Sequence, residues 1–123
     1  MPGHILVVDD DDAVRLMLAR LLESQGYLVA QAPDAREARR LLGERTFDLL
    51  VADVVMPGES GLSLVEHARH NGANIPVVLV SGYAADDPAD FANNHDGVHF
   101  VPKPFGADEL LTLIDSVTGQ SPA

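Results

Sequence analysis

Three acids, a hydroxyl and an amine stand where short apolar runs of this 123-residue chain end. Asp9 and Asp10 follow Ile5–Val8, Asp53 follows Leu49–Ala52, and Ser81 follows Val77–Val80. Lys103 sits between two prolines just past Val98–Val101. Three carboxylates brought together repel one another, and burying them unpaired costs roughly several kcal/mol. A hard divalent cation resolves that repulsion. Mg2+ (or Mn2+) takes oxygen ligands, keeps waters, and combines carboxylates with a phosphate oxygen. A lysine ammonium suits a phosphoryl oxygen as a point charge, and a serine hydroxyl can hydrogen-bond another. Such a set can neutralise charge on a phosphoryl group in flight, with Asp53 placed as the nucleophile. Each member alone has a plainer reading: helix cap, turn residue, exposed lysine. Their conjunction at successive strand ends carries the chemical one.

The elements that must position these groups are legible in the apolar pattern. Ile5–Val8, Leu28–Ala32, Leu49–Ala52, Val77–Val80 and Val98–Val101 read as strands. The first, third and fourth are nearly continuous Val/Leu/Ile, as in parallel strands buried on both faces. Between them, Val14, Met17, Leu18, Leu21 and Leu22 form a helical stripe, with Gly26 as its expected C-cap. Ala35, Ala38, Leu41 and Leu42 form a second, and Leu62, Val65 and Ala68 a third, capped by Ser60. A fourth helix is expected after Asp87-Pro88 but ends early at Asn93, Asn94 and Gly97; Leu110, Leu113, Ile114 and Val117 mark a fifth. The order (βα)5 implies an α/β fold: one five-stranded, doubly wound parallel sheet with right-handed crossovers. Ligands of such sheets bind beyond the carboxyl ends of the strands, where the strand order reverses.

Composition bounds the function. Eight basic against nineteen acidic residues give a net charge of −11, which disfavours direct nucleic-acid binding. No apolar run reaches the roughly 20 residues needed to span a bilayer, and the start lacks the pattern of a signal peptide. There is no cysteine, hence no disulfide or thiolate metal site. A single cytoplasmic domain over residues 1–123, monomeric or weakly dimeric, is the expectation. Asp9 to Asp12 form a run of four acids, which in isolation reads equally as a solvated helix start. The five histidines suggest neither a metal site nor a phosphodonor.

Four segments resemble the receiver domains of two-component response regulators: Ile5-Leu6-Val7-Val8-Asp9-Asp10, Asp53-Val54-Val55-Met56-Pro57-Gly58, Val80-Ser81-Gly82 and Lys103-Pro104-Phe105. The resemblance implies the flavodoxin-like strand order 2-1-3-4-5. It implies Asp53 as phosphoacceptor, Asp10 as a direct Mg2+ ligand, Asp9 as a ligand largely through water, and the Val55 backbone carbonyl as another ligand. It implies that Ser81 and Lys103 meet the phosphoryl oxygens, that Lys103-Pro104 is a cis peptide, and that Phe100 holds the aromatic switch position. The implied donor is a histidine kinase or histidine phosphotransfer protein. The implied readout is a population shift in which Ser81 and Phe100 move together and repack the surface of the fourth helix, fifth strand and fifth helix for a downstream protein.

Val55 and Tyr83 occupy the positions that tune hydrolysis in receivers, and neither presents a small polar group to guide water; slow autohydrolysis is expected. Two rivals differ in class. A haloacid-dehalogenase-type phosphatase would use Asp10-Asp11-Asp12-Ala13-Val14, yet its acidic pair must follow the lysine, and Asp86-Asp87 precede Lys103. A phosphorylation-independent interaction module would be expected to have lost an acid or the lysine, and none is missing. No output segment is read after Val117, which leaves open a single-domain regulator or a piece of a larger protein. No enzymatic turnover beyond self-phosphorylation and dephosphorylation is expected.

Overall fold

The computed structural model describes residues 3–54, 56, 58–70, 75–81, 97–102 and 105–118, and of Ser81 only the backbone. Five strands, β1 (His4–Val8), β2 (Leu28–Ala32), β3 (Leu49–Asp53), β4 (Val77–Ser81) and β5 (Val98–Pro102), form one parallel sheet ordered β2-β1-β3-β4-β5. The described helices are α1 (Asp12–Glu23), α2 (Ala35–Glu44), α3 (Gly61–His70) and α4 (Ala107–Thr118). The helix expected after Asp87-Pro88 lies outside the described residues, so the last helix, expected as the fifth, is α4. No helix among the described residues is long and apolar enough to cross a membrane.

Strand side chains alternate between faces, so each central strand feeds two cores. Ile5, Val7, Val51 and Val80 pack with Leu18 and Leu22 of α1 and with Leu110 and Ile114 of α4. Leu6, Val8, Ala52 and Leu79 pack with Ala38 and Leu41 of α2 and with Leu64 and Val65 of α3. This double burial is why the β1, β3 and β4 sequences are nearly unbroken aliphatic runs. The β2 edge strand is more open, with Leu28 58% exposed.

Two details of α1 differ from expectation. It buries Leu18, Ala19 and Leu22, while Met17 is 50% exposed. At 100° per residue Met17 lies on roughly the opposite face from the centre of that buried stripe. The helix is capped by Ser24 rather than Gly26, the Ser24 N–H donating to the Arg20 carbonyl at 3.0 Å. Gly26 instead supplies the turn that follows, at φ 94°, a conformation that L side chains adopt only with strain.

Buried Tyr27, just before β2, closes the molecule across the α1–α4 layer. Its hydroxyl meets Asp115 Oδ1 and Thr118 Oγ1 on the last turn of α4. Burial, and after it the Asp115 hydrogen bond, holds the phenol above its ordinary value. The neutral phenol is therefore the form the fold favours. Its contribution is whole below the unfolded value of about 10 and is lost as pH climbs through the higher folded value. Tyr27→Phe is expected to cost about 1 kcal/mol near neutrality. It should also flatten the loss of stability above about pH 10, measured by urea unfolding. Identical alkaline profiles for the two proteins would assign that loss to other groups.

Candidate functional site

The sheet register sets the chemical edge. Val8 pairs with Ala52, Ala52 with Leu79, and Leu79 with Phe100, making one row across four strands. The residues just beyond that row are Asp9 after β1 and Asp53 at the end of β3, with Asp53 paired to Val80 and Ser81 to Pro102. Pairing continues to the base of the site: the Asp9 N–H donates to the Ala32 carbonyl at 3.2 Å, and the Val54 N–H to the Val80 carbonyl at 3.0 Å.

Asp9, Asp10 and Asp53 converge, each offering a carboxylate oxygen, with these oxygens all within 4.8 Å of one another. Asp9 is 1% exposed, Asp53 half-buried and Asp10 exposed. The run of four aspartates therefore divides by task. Asp9 follows the strand and accepts the Asp11 N–H at 2.9 Å. Asp10 is exposed beside it, with a carboxylate oxygen turned to the cluster. Asp11 is the N-cap of α1, accepting the Ala13 and Val14 N–H groups at 2.9 and 3.2 Å. Asp12 occupies the first turn and pairs with Arg15 at 2.6 Å. An acidic cluster and a helix start thus occupy consecutive residues of this run.

The loop from β3 to α3 is closed tightly at its far end. Ser60 caps α3 as expected, its Oγ accepting the Ser63 N–H at 3.2 Å. The Gly61 N–H donates to the Val54 carbonyl at 3.0 Å. A Cβ on Gly61 would lie 2.3 Å from the Asp53 carbonyl oxygen. Gly61 is thus a site residue that sequence reasoning missed. Its signal was a glycine as the first helical residue, where helix propensity gives no reason for one. Glu59 ties the loop outward, with Arg39 of α2 at 3.1 Å and the Ser63 hydroxyl at 3.0 Å.

Phe100 is half-buried and packs against the core shared with α2 and α3. Val55, Tyr83, Lys103 and Pro104 lie outside the described residues, as does the side chain of Ser81. The three described carboxylates are hard oxygen donors at a spacing that one small divalent cation can bridge, so the donor set fits Mg2+ or Mn2+.

The response regulator receiver domain model matches residues 5–115. The PetR protein of Rhodobacter capsulatus is 38% identical over 121 residues, covering 98% of this chain and 51% of PetR. NtrC of Escherichia coli is 31% identical over 113 residues, covering 92% of this chain and 24% of NtrC. The chain thus spans about half the length of one curated relative and about a quarter of the other. Among solved structures, the receiver domain of the hybrid histidine kinase CckA superposes with a TM-score of 0.80 at 39% identity, covering 94% of this chain and 99% of that one. TrrA of Thermotoga maritima, in complex with Mg(2+)-BeF, gives a TM-score of 0.83 at 29% identity, covering 94% and 98%. With the match running from β1 into α4 and the sheet in the receiver order, the chain belongs to the response regulator receiver domain family of two-component signalling.

Proposed function

We propose that the domain takes a phosphoryl group onto Asp53 from a phosphohistidine donor, a histidine kinase or histidine phosphotransfer protein, and signals through the changed surface. The observation that carries this reading is the convergence of Asp9, Asp10 and Asp53 at the carboxyl edge of the sheet. In the step itself an Asp53 carboxylate oxygen forms a bond to phosphorus. The donor's N–P bond breaks, and its electron pair returns to the imidazole. Asp9, Asp10 and Asp53 would hold Mg2+, together with the backbone carbonyl of residue 55 that the family resemblance implies. The ion would supply charge neutralisation on the phosphoryl oxygens. Lys103 and the Ser81 hydroxyl take the remaining oxygens, and Ser81 with Phe100 passes the change to the β5–α4 side for a downstream protein. TrrA, captured with Mg(2+)-BeF, supports the ion in this reading. The domain acts as a substrate of its donor and a switch, with no turnover of other substrates.

A protein donor needs a surface beside the acids. Leu16 and Met17 of α1 are 43% and 50% exposed, on the helix that begins directly after Asp10 and Asp11. Intact mass after acetyl phosphate is expected to show one phosphate adduct with Mg2+ and none after chelation. Met17→Glu should leave that uptake unchanged and slow uptake from a phosphorylated protein donor. An adduct formed equally well in chelator would remove the metal from the mechanism.

A further inference from the structure

Helix α1 turns a charged residue toward the sheet. At 100° per residue, Arg15 falls near the centre of the face that buries Leu18, Ala19 and Leu22. Its side chain is 15% exposed. A guanidinium is placed so deeply only when its donors are used, and here they are used at the acidic loop. One terminal nitrogen donates to the Asp9 backbone carbonyl at 2.8 Å, and the other to Asp12 Oδ1 at 2.6 Å. Among the described residues Asp9 is consequently held at three points: its N–H by the Ala32 carbonyl, its carboxylate by the Asp11 N–H, and its carbonyl by Arg15.

Two effects of Arg15 on a bound cation oppose each other. A fixed positive charge near the site weakens binding of a second cation by direct repulsion. A braced loop strengthens binding, because Asp9 and Asp10 need not be ordered when the ion arrives. The pairing with Asp12 offsets much of the guanidinium charge, while the bond to the Asp9 carbonyl acts on the loop itself. We propose that Arg15 is a positioning residue for the metal site, its fork to the Asp9 carbonyl and Asp12 holding Asp9-Asp10 in the binding geometry. This rests on the reading that Asp9, Asp10 and Asp53 bind Mg2+.

The sign of the effect provides the test. MgCl2 is titrated into isotope-labelled wild type, Arg15→Gln and Arg15→Lys, following the amide signals of residues 9–13. Arg15→Gln removes both the charge and the fork, whereas Arg15→Lys keeps the charge alone. Both variants are expected to bind Mg2+ about tenfold more weakly, with amide signals of β4 and α4 unmoved before Mg2+ is added. Equal or tighter binding by Arg15→Gln would overturn the proposal, leaving Arg15 as a repelling charge. Wild-type affinity in Arg15→Lys would overturn the fork, a single ammonium donor then being enough. Absence of any Mg2+-dependent shift in wild type would instead remove the metal reading on which the proposal rests.

Discussion

Asp53→Asn is expected to abolish phosphate uptake from acetyl phosphate, lowering the rate by more than about a thousandfold. The argument starts from what separates three identical side chains. Asp9 is almost wholly buried and already uses one carboxylate oxygen to hold the Asp11 N–H, so attack through it would unpick the start of α1. Asp10 is exposed and sits on the short loop between β1 and α1. Asp53 is half-buried at the end of a central strand, paired in register with Val80 and backed by the Gly61 approach. A nucleophile needs a fixed backbone and access for its electrophile, and Asp53 joins a strand-end backbone to a side chain that is only partly buried. Asparagine keeps the size and loses the nucleophilic carboxylate. The check is intact mass of wild type, Asp53→Asn and Asp10→Asn after acetyl phosphate and Mg2+. An adduct that survives in Asp53→Asn would move the phosphoacceptor elsewhere. Asp10→Asn should retain slow uptake at raised Mg2+, because it removes one ligand and leaves the attacking group.

Gly61→Ala is expected to destabilise the domain by about 3 kcal/mol. On propensity alone the change would favour the helix, by less at this first helical position than the roughly 1 kcal/mol of a helix interior. Space decides the sign. The new Cβ would stand 2.3 Å from the Asp53 carbonyl oxygen, 3.1 Å from its carbon and 3.2 Å from the Val54 Cα. All three are backbone atoms of the β3 exit, and none can rotate away. Either α3 shifts outward, breaking the Gly61 N–H bond to Val54, or the end of β3 moves and takes Asp53 with it. Urea unfolding measures the first cost, and the rate of acetyl phosphate uptake measures the second. A variant as stable as wild type would show that the close approach does not persist in solution.

How much of this was readable beforehand depends on what each feature asks of the chain. The strands of the sheet were legible because burial on both faces leaves a composition that few other environments produce. Convergence of Asp9, Asp10 and Asp53 followed once those strands were placed, since a parallel sheet gathers its carboxyl ends. Within Asp9–Asp12 the acidic pair was assigned to Asp9 and Asp10, but which acid is buried and which caps α1 was not legible. Four identical residues carry no internal pattern, and the folded burial and capping separate them. Met17 was misread. Counting apolar residues put it on the buried stripe, whereas helical angle puts it outside and gives the partly buried position to Arg15, which the sequence reading did not single out. Gly61 escaped because its reason is a contact with Asp53, which no local sequence pattern reports.

Because β1 lies between β2 and β3, the chain must run out along one side of its first strand and return on the other. Asp53 meets Asp9 only after α1, β2 and α2 have been bridged and Ile5 has paired with Leu49. That closure is among the long-range pairings which, in folds of this kind, form late and slowly. An incomplete chain therefore displays scattered aspartates rather than a weak version of the site. A divalent ion held by these acids would bind only the finished fold, and by mass action would hold it finished.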